Sequence, residues 1–277
     1  MLPVITFLTD FGLRDGYVAA MKGAVLQIAP EATLVDVSHA VPPQDVYAAA
    51  YILSTSSPYF PPNAIHIVVV DPGVGTSRRA ILLETPSARF LAPDNGVLTY
   101  VLQAYGARAP GVNGSLPTVT EVPVPALLHA YQLVNPTYFR LEVSQTFHGR
   151  DIFAPVAAHL ARGVPTEAFG PRLDSVLAFT LPHPETLAGG TLQGTVIHVD
   201  TYGNLITNVR REDIPPAGST VRIGGREIRG LQTAYQREDE LLAIIGSSGY
   251  LEIAAANGSA ANVLGVQRWA AVDVHPG

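Results

Sequence analysis

The sequence contains no cysteine, which excludes disulfide-bonded scaffolds, thiolate zinc sites and cysteine nucleophiles. It contains one lysine, Lys22, and its 17 basic residues are outnumbered by 23 acidic residues, for a net charge of −6. Nucleic-acid binding requires concentrated Lys and Arg, so no nucleic-acid partner is expected. No apolar run approaches the roughly 18 residues of a membrane span, and the N-terminus lacks the basic segment of a signal peptide. We therefore predict a cytoplasmic protein with no membrane partner.

The residues that are present indicate two folded domains. Hydrophobic residues make up 47% of the 277 residues, which is enough for a sizeable core. In residues 1–165, short β-branched runs alternate with helical segments, which predicts an α/β domain with a mostly parallel central sheet. Residues 166–190 are rich in Pro, Gly and Thr and are predicted to form a linker. Residues 191–277 contain short apolar runs separated by turn residues, which predicts a smaller all-β, barrel-like domain.

The apolar periodicity gives approximate bounds for the elements. The predicted strands of the first domain are Val4–Leu8, Thr33–Val37, Ile65–Val70 and Ile81–Glu84, and its predicted helices are Gly16–Ile28, Asp45–Leu53, Val97–Tyr105 and Ile152–Ala161. The predicted strands of the second domain are Thr195–Val199, Leu205–Val209, Thr220–Ile223, Leu241–Ile245 and Tyr250–Ala255. The segment Gly106–Val124 is predicted to be an exposed loop.

Four aspartates lie where predicted strands run into turns: Asp10, Asp36, Asp71 and Asp94. Ligands of open α/β sheets bind at the carboxyl ends of strands, so these acids indicate one polar pocket. Aspartate is also common in turns for purely structural reasons, because its side chain accepts hydrogen bonds from nearby backbone amides. Arg78 follows Asp71 closely enough to meet it across the loop DPGVGTSRR, although it also fits a solvated position at a strand start.

A second cluster is the segment TFHGRD, where His148 and Arg150 precede a helix led by Asp151. A single histidine is more often structural than catalytic, but this one sits at a glycine-marked turn against a helix N-terminus. A metal site formed by His148, Asp151, Asp10 and Asp71 is an alternative, although the spacing matches no established metal motif.

The second domain contributes polar residues at two turns. Tyr and Asn at a turn tip suit stacking on, and hydrogen bonding to, a flat heterocycle such as a purine, whereas a hairpin corner with an aromatic filler is the structural alternative. These residues are Asp200, Tyr202 and Asn204 in DTYGNLITN, and Ser247, Ser248, Asn257 and Ser259 in SSGYLEIAAANGSAA.

Taken together and in order, these motifs resemble one family. The segments TDFG, DPGVGTSRR, APDNG, FHGRDIFAP, DTYGNLITN and NGSAA are similar to those of the S-adenosyl-L-methionine hydroxide adenosyltransferases, which are related to fluorinase and chlorinase. The resemblance covers nearly the whole chain. It implies an α/β N-terminal domain, a β-barrel-like C-terminal domain, and a homotrimer that binds S-adenosylmethionine (SAM) between subunits. It also implies hydrolysis of SAM to adenosine and L-methionine without metal or cofactor.

The resemblance assigns roles to individual residues. The family's Asp, Arg and His triad falls on Asp71, Arg78 and His148, and Asp10 matches the acid that binds the ribose hydroxyls. The remaining substrate contacts fall on Gln44, Asp200, Tyr202, Asn204, Ser247 and Asn257. The halogenating branch has Tyr and Thr where this sequence has Asp71 and Val74, and Trp in place of Gln44. Because a carboxylate repels halide, these departures favour water as the nucleophile.

Two other functions remain open from the sequence. A non-catalytic adenosine or SAM-binding module would keep Asp10 and Asn204 and have no use for the Asp71, Arg78 and His148 set. A metal-dependent nucleotide hydrolase would lose activity in chelator.

Overall fold

The computed structural model describes residues 2–109, 116–214, 219–235 and 241–277. The chain divides into two compact units. The first consists of the described parts of Met1–Ala109 and Val119–Phe179, and the second of Thr180–Gly277 with the described part of Pro110–Thr118. The division after Phe179 falls within the predicted linker 166–190.

The first unit is built on a mixed seven-stranded sheet and a two-stranded sheet. The strands are β1 (Val4–Thr9), β2 (Thr33–Ser38), β3 (Ala64–Val69), β4 (Ala80–Glu84), β5 (Ala88–Pro93), β6 (Val119–Pro123), β7 (His129–Gln132), β8 (Arg172–Leu173) and β9 (Ser175–Phe179). The large sheet has the order β2-β1-β3-β5-β4-β7-β8, and β6 pairs with β9. Pairing is parallel from β2 to β5 and antiparallel from β5 to β8. The predicted α/β class is therefore confirmed.

The described residues of this unit include four α-helices: α1 (Tyr17–Leu26), α2 (Val46–Ser56), α3 (Thr99–Ala104) and α4 (Ala154–Ala161). Helix α2 begins after Asp45, whose carboxylate accepts a hydrogen bond from the Ala48 N–H at 3.0 Å as an N-cap. Helix α4 is followed by Gly163, whose φ of +87° favours glycine. Helices α1 and α4 pack together over a buried cluster that includes Phe7 and Ile67.

The second unit is an antiparallel, barrel-like sheet. Its described strands are β10 (Glu185–Thr186), β11 (Leu192–Val199), β12 (Leu205–Arg210), β13 (Thr220–Ile223), β14 (Arg226–Arg229), β15 (Leu241–Ile245), β16 (Tyr250–Ala255) and β17 (Ala271–His275), and an α-helix, α5 (Ala260–Leu264), lies between the last two. Seven strands follow the order β14-β13-β17-β11-β12-β16-β15, and β10 pairs with β11. The end strands β14 and β15 contact each other, which nearly closes the sheet. The predicted all-β, barrel-like class is confirmed.

Two of the segments that differ from their predicted structure pair with each other. The loop prediction is wrong for Val119–Pro123, which forms β6, whereas residues 110–115 of that segment lie outside the described residues. Ser175–Phe179, within the predicted linker, is β9 of the first unit. These two strands pair with each other across a long sequence separation, so neither shows a local hairpin signal. None of the described helices is long and apolar enough to cross a membrane.

A buried histidine stands inside the first sheet. His66 of β3 is 1% exposed, its Nδ1 lies 2.8 Å from the Thr6 hydroxyl, and its ring stacks on Phe90. Its Nε2 has no hydrogen-bond partner among the described residues. Burial lowers the pKa of His66 to about 4, because the apolar surroundings disfavour the imidazolium.

This burial predicts acid sensitivity. Between the ordinary histidine pKa and about 4, the unfolded chain takes up a proton that folded His66 does not, so stability falls as pH falls. We expect His66 to account for a loss of roughly 2 kcal/mol of unfolding free energy between pH 7 and pH 5. Urea unfolding at both pH values measures this loss. The double variant Thr6→Val/His66→Phe removes both polar partners. Its unfolding free energy should fall by roughly 2 kcal/mol less than that of the wild type between pH 7 and pH 5.

The matched control is His129→Phe, at an exposed position of the same sheet. An unchanged pH dependence in the Thr6→Val/His66→Phe protein would rule out His66 as the source of the acid sensitivity.

Candidate active site

The loop after β3 brings Arg78 back onto Asp71. The turn is closed by the Val74 N–H, which donates to the Asp71 carbonyl at 3.2 Å, and by the Thr76 hydroxyl, which donates to the Gly73 carbonyl at 2.6 Å. Gly75 has a φ of +76°, and a Cβ at this position would lie 2.3 Å from the Gln145 carbonyl oxygen. The loop therefore packs closely against the segment that precedes His148, and only glycine fits at this contact.

Asp71, Arg78 and His148 form a connected set. The Arg78 Nε lies 3.0 Å from both Asp71 carboxylate oxygens, and the Arg78 Nη2 also donates to Asp71 Oδ2. The same Nη2 lies 2.7 Å from His148 Nδ1. The Asp71 and Arg78 side chains are 4% and 10% exposed. One guanidinium therefore contacts both a carboxylate and an imidazole. The short spacing between Asp71 and Arg78 predicted the first contact, whereas His148 comes from a distant part of the sequence.

The environment of His148 defines its proton state. Burial, followed by the nearby Arg78 charge, lowers the pKa of His148, so the ring is neutral at pH 7. Arg78 donates to Nδ1, and the proton of the neutral ring is therefore assigned to Nε2. His148 consequently acts as a hydrogen-bond donor through Nε2 and is a weak base.

A π-helical turn, Gly149–Phe153, follows His148 and sets its position. Within it, Asp151 is fully buried, and its Oδ2 accepts hydrogen bonds from the Ser144 N–H at 2.9 Å and the Ser144 hydroxyl at 2.8 Å. Arg150 Nε donates to Asp151 Oδ1 at 2.6 Å. Burial by itself raises the pKa of Asp151, but the hydrogen bonds from Arg150 and Ser144 outweigh burial, and the pKa lies below its ordinary value. Asp151 therefore anchors the loop before His148. Its contacts to Ser144 and Arg150 do not support the alternative in which Asp151 is a metal ligand.

A cavity of about 420 Å³ lies beside this set in the first unit. Asp10, Gln44, Asp71, Val74 and His148 all line it, so the structure brings together these sequence-predicted residues. Three aromatic rings form a cluster on its wall, with centroid distances of 5.2 to 5.8 Å: Phe11, Tyr17 and Phe147, of which Phe147 contacts the other two edge to face. The cavity thus combines a polar end with an apolar wall.

Asp10 is held by the backbone of Gln44. Its Oδ2 accepts a hydrogen bond from the Gln44 N–H at 2.7 Å, and Gln44 adopts a φ of +64°, which is uncommon for a residue with a side chain. Such backbone strain is found at functional sites, where the surrounding structure compensates for it. Among the described residues, the other Asp10 oxygen has no hydrogen-bond partner and can contact a ligand.

The two other strand-end aspartates do not line this cavity, so the prediction of a shared four-acid pocket is wrong for them. Asp36 pairs with Lys22 at 2.7 Å. Asp94 is buried and pairs with Arg79 at 2.6 Å, and its Oδ1 accepts a hydrogen bond from the Leu177 N–H at 2.8 Å. Asp94 therefore connects the large sheet to β9.

Among the residues that the structure describes, no group of three His, Asp or Glu side chains is arranged to hold a metal ion.

The second unit has its own cavity, of about 830 Å³. Its sequence-predicted lining residues are Asp200, Tyr202, Asn204, Ser247 and Asn257. Asp200 shapes the turn, because its carboxylate accepts hydrogen bonds from the N–H groups of Tyr202 and Asn204 at 2.9 and 2.8 Å. Tyr202 is 78% exposed, so its ring is accessible for stacking.

The NGSAA segment docks on this turn. A Cβ on Gly203 would lie 2.0 Å from the Ser259 hydroxyl oxygen, and the Gly203 carbonyl accepts a hydrogen bond from the Ala261 N–H at 3.0 Å. Ser259 itself caps α5. Ser248 is not among the residues that line the cavity.

The cavities also contain residues that sequence reasoning missed. Phe147 lines the first cavity and directly precedes His148 in the motif TFHGRD, so the sequence offered a signal for it. Tyr235 and Glu252 line the second cavity and lie outside the turns that the sequence analysis identified. The apolar pattern around Glu252 predicts a strand and gives no sign of a binding site. Only the folded structure shows that this side chain lines the cavity.

Comparison with known proteins identifies the class. The sequence models of the SAM hydroxide adenosyltransferase N-terminal and C-terminal domains match residues 5–170 and 194–273. The chain belongs to this family.

Individual relatives follow the same pattern. The chain is 40% identical to the (R)-S-adenosyl-L-methionine hydrolase of Thermus thermophilus, covering 96% of this chain and 97% of that protein. It is 30% identical to a fluorinase of an Actinoplanes species, covering 78% and 74%. It resembles the crystal structure of an uncharacterized conserved protein from Thermotoga maritima with a TM-score of 0.84 and 37% identity, over 98% and 100% of the two chains.

The close contact at Gly75 generates a prediction for the site. Gly75→Ala adds both left-handed strain and a clash with the Gln145 carbonyl, which displaces the Asp71 and His148 loops from each other. We expect a loss of about 1–2 kcal/mol of stability from the strain and, because misplacing reacting groups by about 1 Å is costly, about a hundredfold lower turnover. Thermal unfolding and steady-state kinetics measure the two effects.

The matched control is Gly163→Ala, which shares the positive φ but has open space around the added Cβ. It should lose similar stability and keep its turnover. Equal turnover in the two variants would show that the Gly75 contact does not position the site.

Proposed function

We propose that this protein hydrolyses SAM to adenosine and L-methionine by attack of water at the ribose C5′. The observation that supports this most directly is the Asp71–Arg78–His148 set at a cavity that also contains Asp10. Family membership supplies the substrate class, and the curated relative from Thermus thermophilus is named as a SAM hydrolase.

The chemistry explains why these residue types suit the reaction. SAM is a sulfonium, so attack at C5′ expels a neutral thioether and needs no general acid. Water is a weak nucleophile with a pKa of about 15.7, so the site has to polarise it. As the O–C5′ bond forms and the C5′–S bond breaks, Asp71 accepts the proton that the water loses, Arg78 fixes the carboxylate, and the His148 Nε2–H orients the water oxygen. Charge is neutralised as the hydroxide-like oxygen approaches the sulfonium, which the apolar wall of Phe11, Tyr17 and Phe147 favours.

The other residues hold the substrate. Asp10 binds the ribose hydroxyls and thereby aligns C5′ with the water, an orientation effect that contributes several kcal/mol in well-arranged sites. Gln44 lines the same cavity as Asp10 and belongs to the same part of the substrate site. The second-unit cavity takes the methionine and adenine groups, with Tyr202 and Asn204 suited to stacking and hydrogen bonding. Asp200, Ser247 and Asn257 complete that lining.

Asp71 also argues against halide as the nucleophile. A carboxylate about 4 Å from chloride opposes binding by up to about 4 kcal/mol at an effective dielectric near 20, about a thousandfold in affinity. Val74 has no side-chain donor to compensate. The same carboxylate assists water, so the pocket separates hydrolysis from halogenation.

The assembly and setting belong to the proposal as well. We infer a cytoplasmic homotrimer with active sites at subunit interfaces, each combining the first-unit cavity of one chain with the second-unit cavity of another. The reaction as written uses no metal or cofactor. Two half-sites in separate compact units of the chain support a shared arrangement.

The product experiment tests the reaction. The purified protein is incubated with each sulfonium epimer of SAM in ¹⁸O-labelled water, with chelator and molar chloride, and products are analysed by mass spectrometry. We expect 5′-labelled adenosine and L-methionine, with the R epimer preferred as in the relative's name. Unlabelled adenosine, appreciable 5′-chloroadenosine or dependence on added metal would each contradict the mechanism. SAM binding without turnover would indicate a non-catalytic module.

A mixing experiment tests the interface. Asp71→Asn inactivates the first-unit half-site and Asn204→Ala the second-unit half-site, so each pure variant should be nearly inactive. After dissociation and reassembly of an equal mixture, about one quarter of interfaces would combine two intact halves, so about one quarter of wild-type activity should return. Circular dichroism confirms that each variant is folded. No recovery in a mixture shown to exchange subunits would place each site within one chain.

A further inference from the structure

A buried acid in the second unit has no assigned role. Glu252 lies in β16, is 8% exposed and lines the same cavity as Asp200. Neighbouring β16 positions such as Leu251 and Ile253 are apolar and belong to the core. A carboxyl group in such a position is costly unless something balances its charge.

The described residues offer little to balance it. The Tyr235 hydroxyl donates to Glu252 Oε2 at 3.4 Å, which is at the long limit of a hydrogen bond, and none of the described Arg, Lys or His side chains forms an ion pair with Glu252. The buried aspartates of the first unit differ, because Asp94 and Asp151 each have an arginine partner. Burial and, next, the charge of Asp200 raise the pKa of Glu252.

The backbone is shaped around this carboxyl group. A Cβ on Gly246 would lie 1.7 Å from Glu252 Oε1 and 2.6 Å from Oε2, so any larger residue would expel the carboxyl from its place. Gly246 and Glu252 both line the cavity. The carboxyl group therefore occupies a specific space at the cavity wall, beside the Asp200 turn.

We propose that Glu252 recognises the α-ammonium group of the amino-acid part of the substrate, together with Asp200. This inference rests on the proposed function. An ammonium group supplies three hydrogen-bond donors and a positive charge. Among the described residues, the hydrogen bonds to Asp200 come from neutral groups, which are the N–H groups of Tyr202 and Asn204 and the Asn204 side-chain amide. Within the same part of the chain, the Glu252 carboxyl group has only the long tyrosine contact. Adenine is neutral and supplies no charge. The sulfonium has no N–H or O–H donor, and its C5′ reacts beside Asp71 in the other cavity.

Equilibrium binding tests the role without turnover. The probes are S-adenosyl-L-homocysteine, which is not a sulfonium, and its analogue with hydrogen in place of the amino group, both titrated by calorimetry. We expect the wild type to bind the amino form at least tenfold more tightly. Glu252→Gln keeps the side-chain size and removes the charge, so this preference should fall about tenfold while affinity for the deaminated probe stays within twofold.

Two further variants sharpen the test. Gly246→Ala displaces the carboxyl group sterically and should lose the same preference, which keeps the proposal testable if Glu252→Gln does not fold. Glu227→Gln, an exposed position of β14 paired with Arg222, should leave both affinities unchanged.

The outcomes separate this inference from the function on which it rests. Equal weakening of both probes by Glu252→Gln, or no change in the preference, would overturn the ammonium role. A wild type that discriminates through Glu252 and does not hydrolyse SAM would reject the proposed hydrolysis and retain this inference.

Discussion

The arrangement of the first cavity depends on one guanidinium. Arg78 holds the Asp71 carboxylate through a bidentate contact and donates to His148 with the same Nη2. Bidentate Arg–carboxylate pairs fix geometry as well as charge, which a lysine ammonium does not. The loop after β3 and the π-helical turn at Gly149–Phe153 are brought together by this contact, and the pKa of His148 is lowered partly by the Arg78 charge.

The contact also divides the work between the two groups that face the cavity. The imidazole receives a hydrogen bond on Nδ1, so its remaining proton points from Nε2 and the ring orients ligands without taking their protons readily. The carboxylate retains lone pairs for a proton of water. In the proposed reaction, this neutral donor and this anionic acceptor contact the same water and set its direction of attack. Buried Asp151, anchored by Ser144 and Arg150, keeps the histidine loop in place.

The sequence predicted the fold class and most of the first cavity because both depend on local signals. Strands such as β1 and β3 are short, mainly apolar runs, and the Asp71–Arg78 pair lies within one loop. Asp94 could not be separated from Asp71 in this way, because its partner Arg79 and its contact to Leu177 come from distant parts of the chain. Strands β6 and β9 were missed because they pair across a long sequence separation.

The adjacent residues Arg78 and Arg79 face different partners: Arg78 contacts Asp71 and His148, whereas Arg79 contacts buried Asp94. Their order is set by the length of the loop that starts at Asp71. Deleting one residue of that loop would move Arg79 to the position of Arg78 and leave Asp94 without its cation. Inserting one residue would move Arg78 to the position of Arg79 and leave Asp71 without its cation. Natural variation in this loop should therefore change residue types freely at exposed positions such as Ser77 and leave the spacing constant. The number of residues between Asp71 and Arg78 is as strict a requirement of this site as their identities.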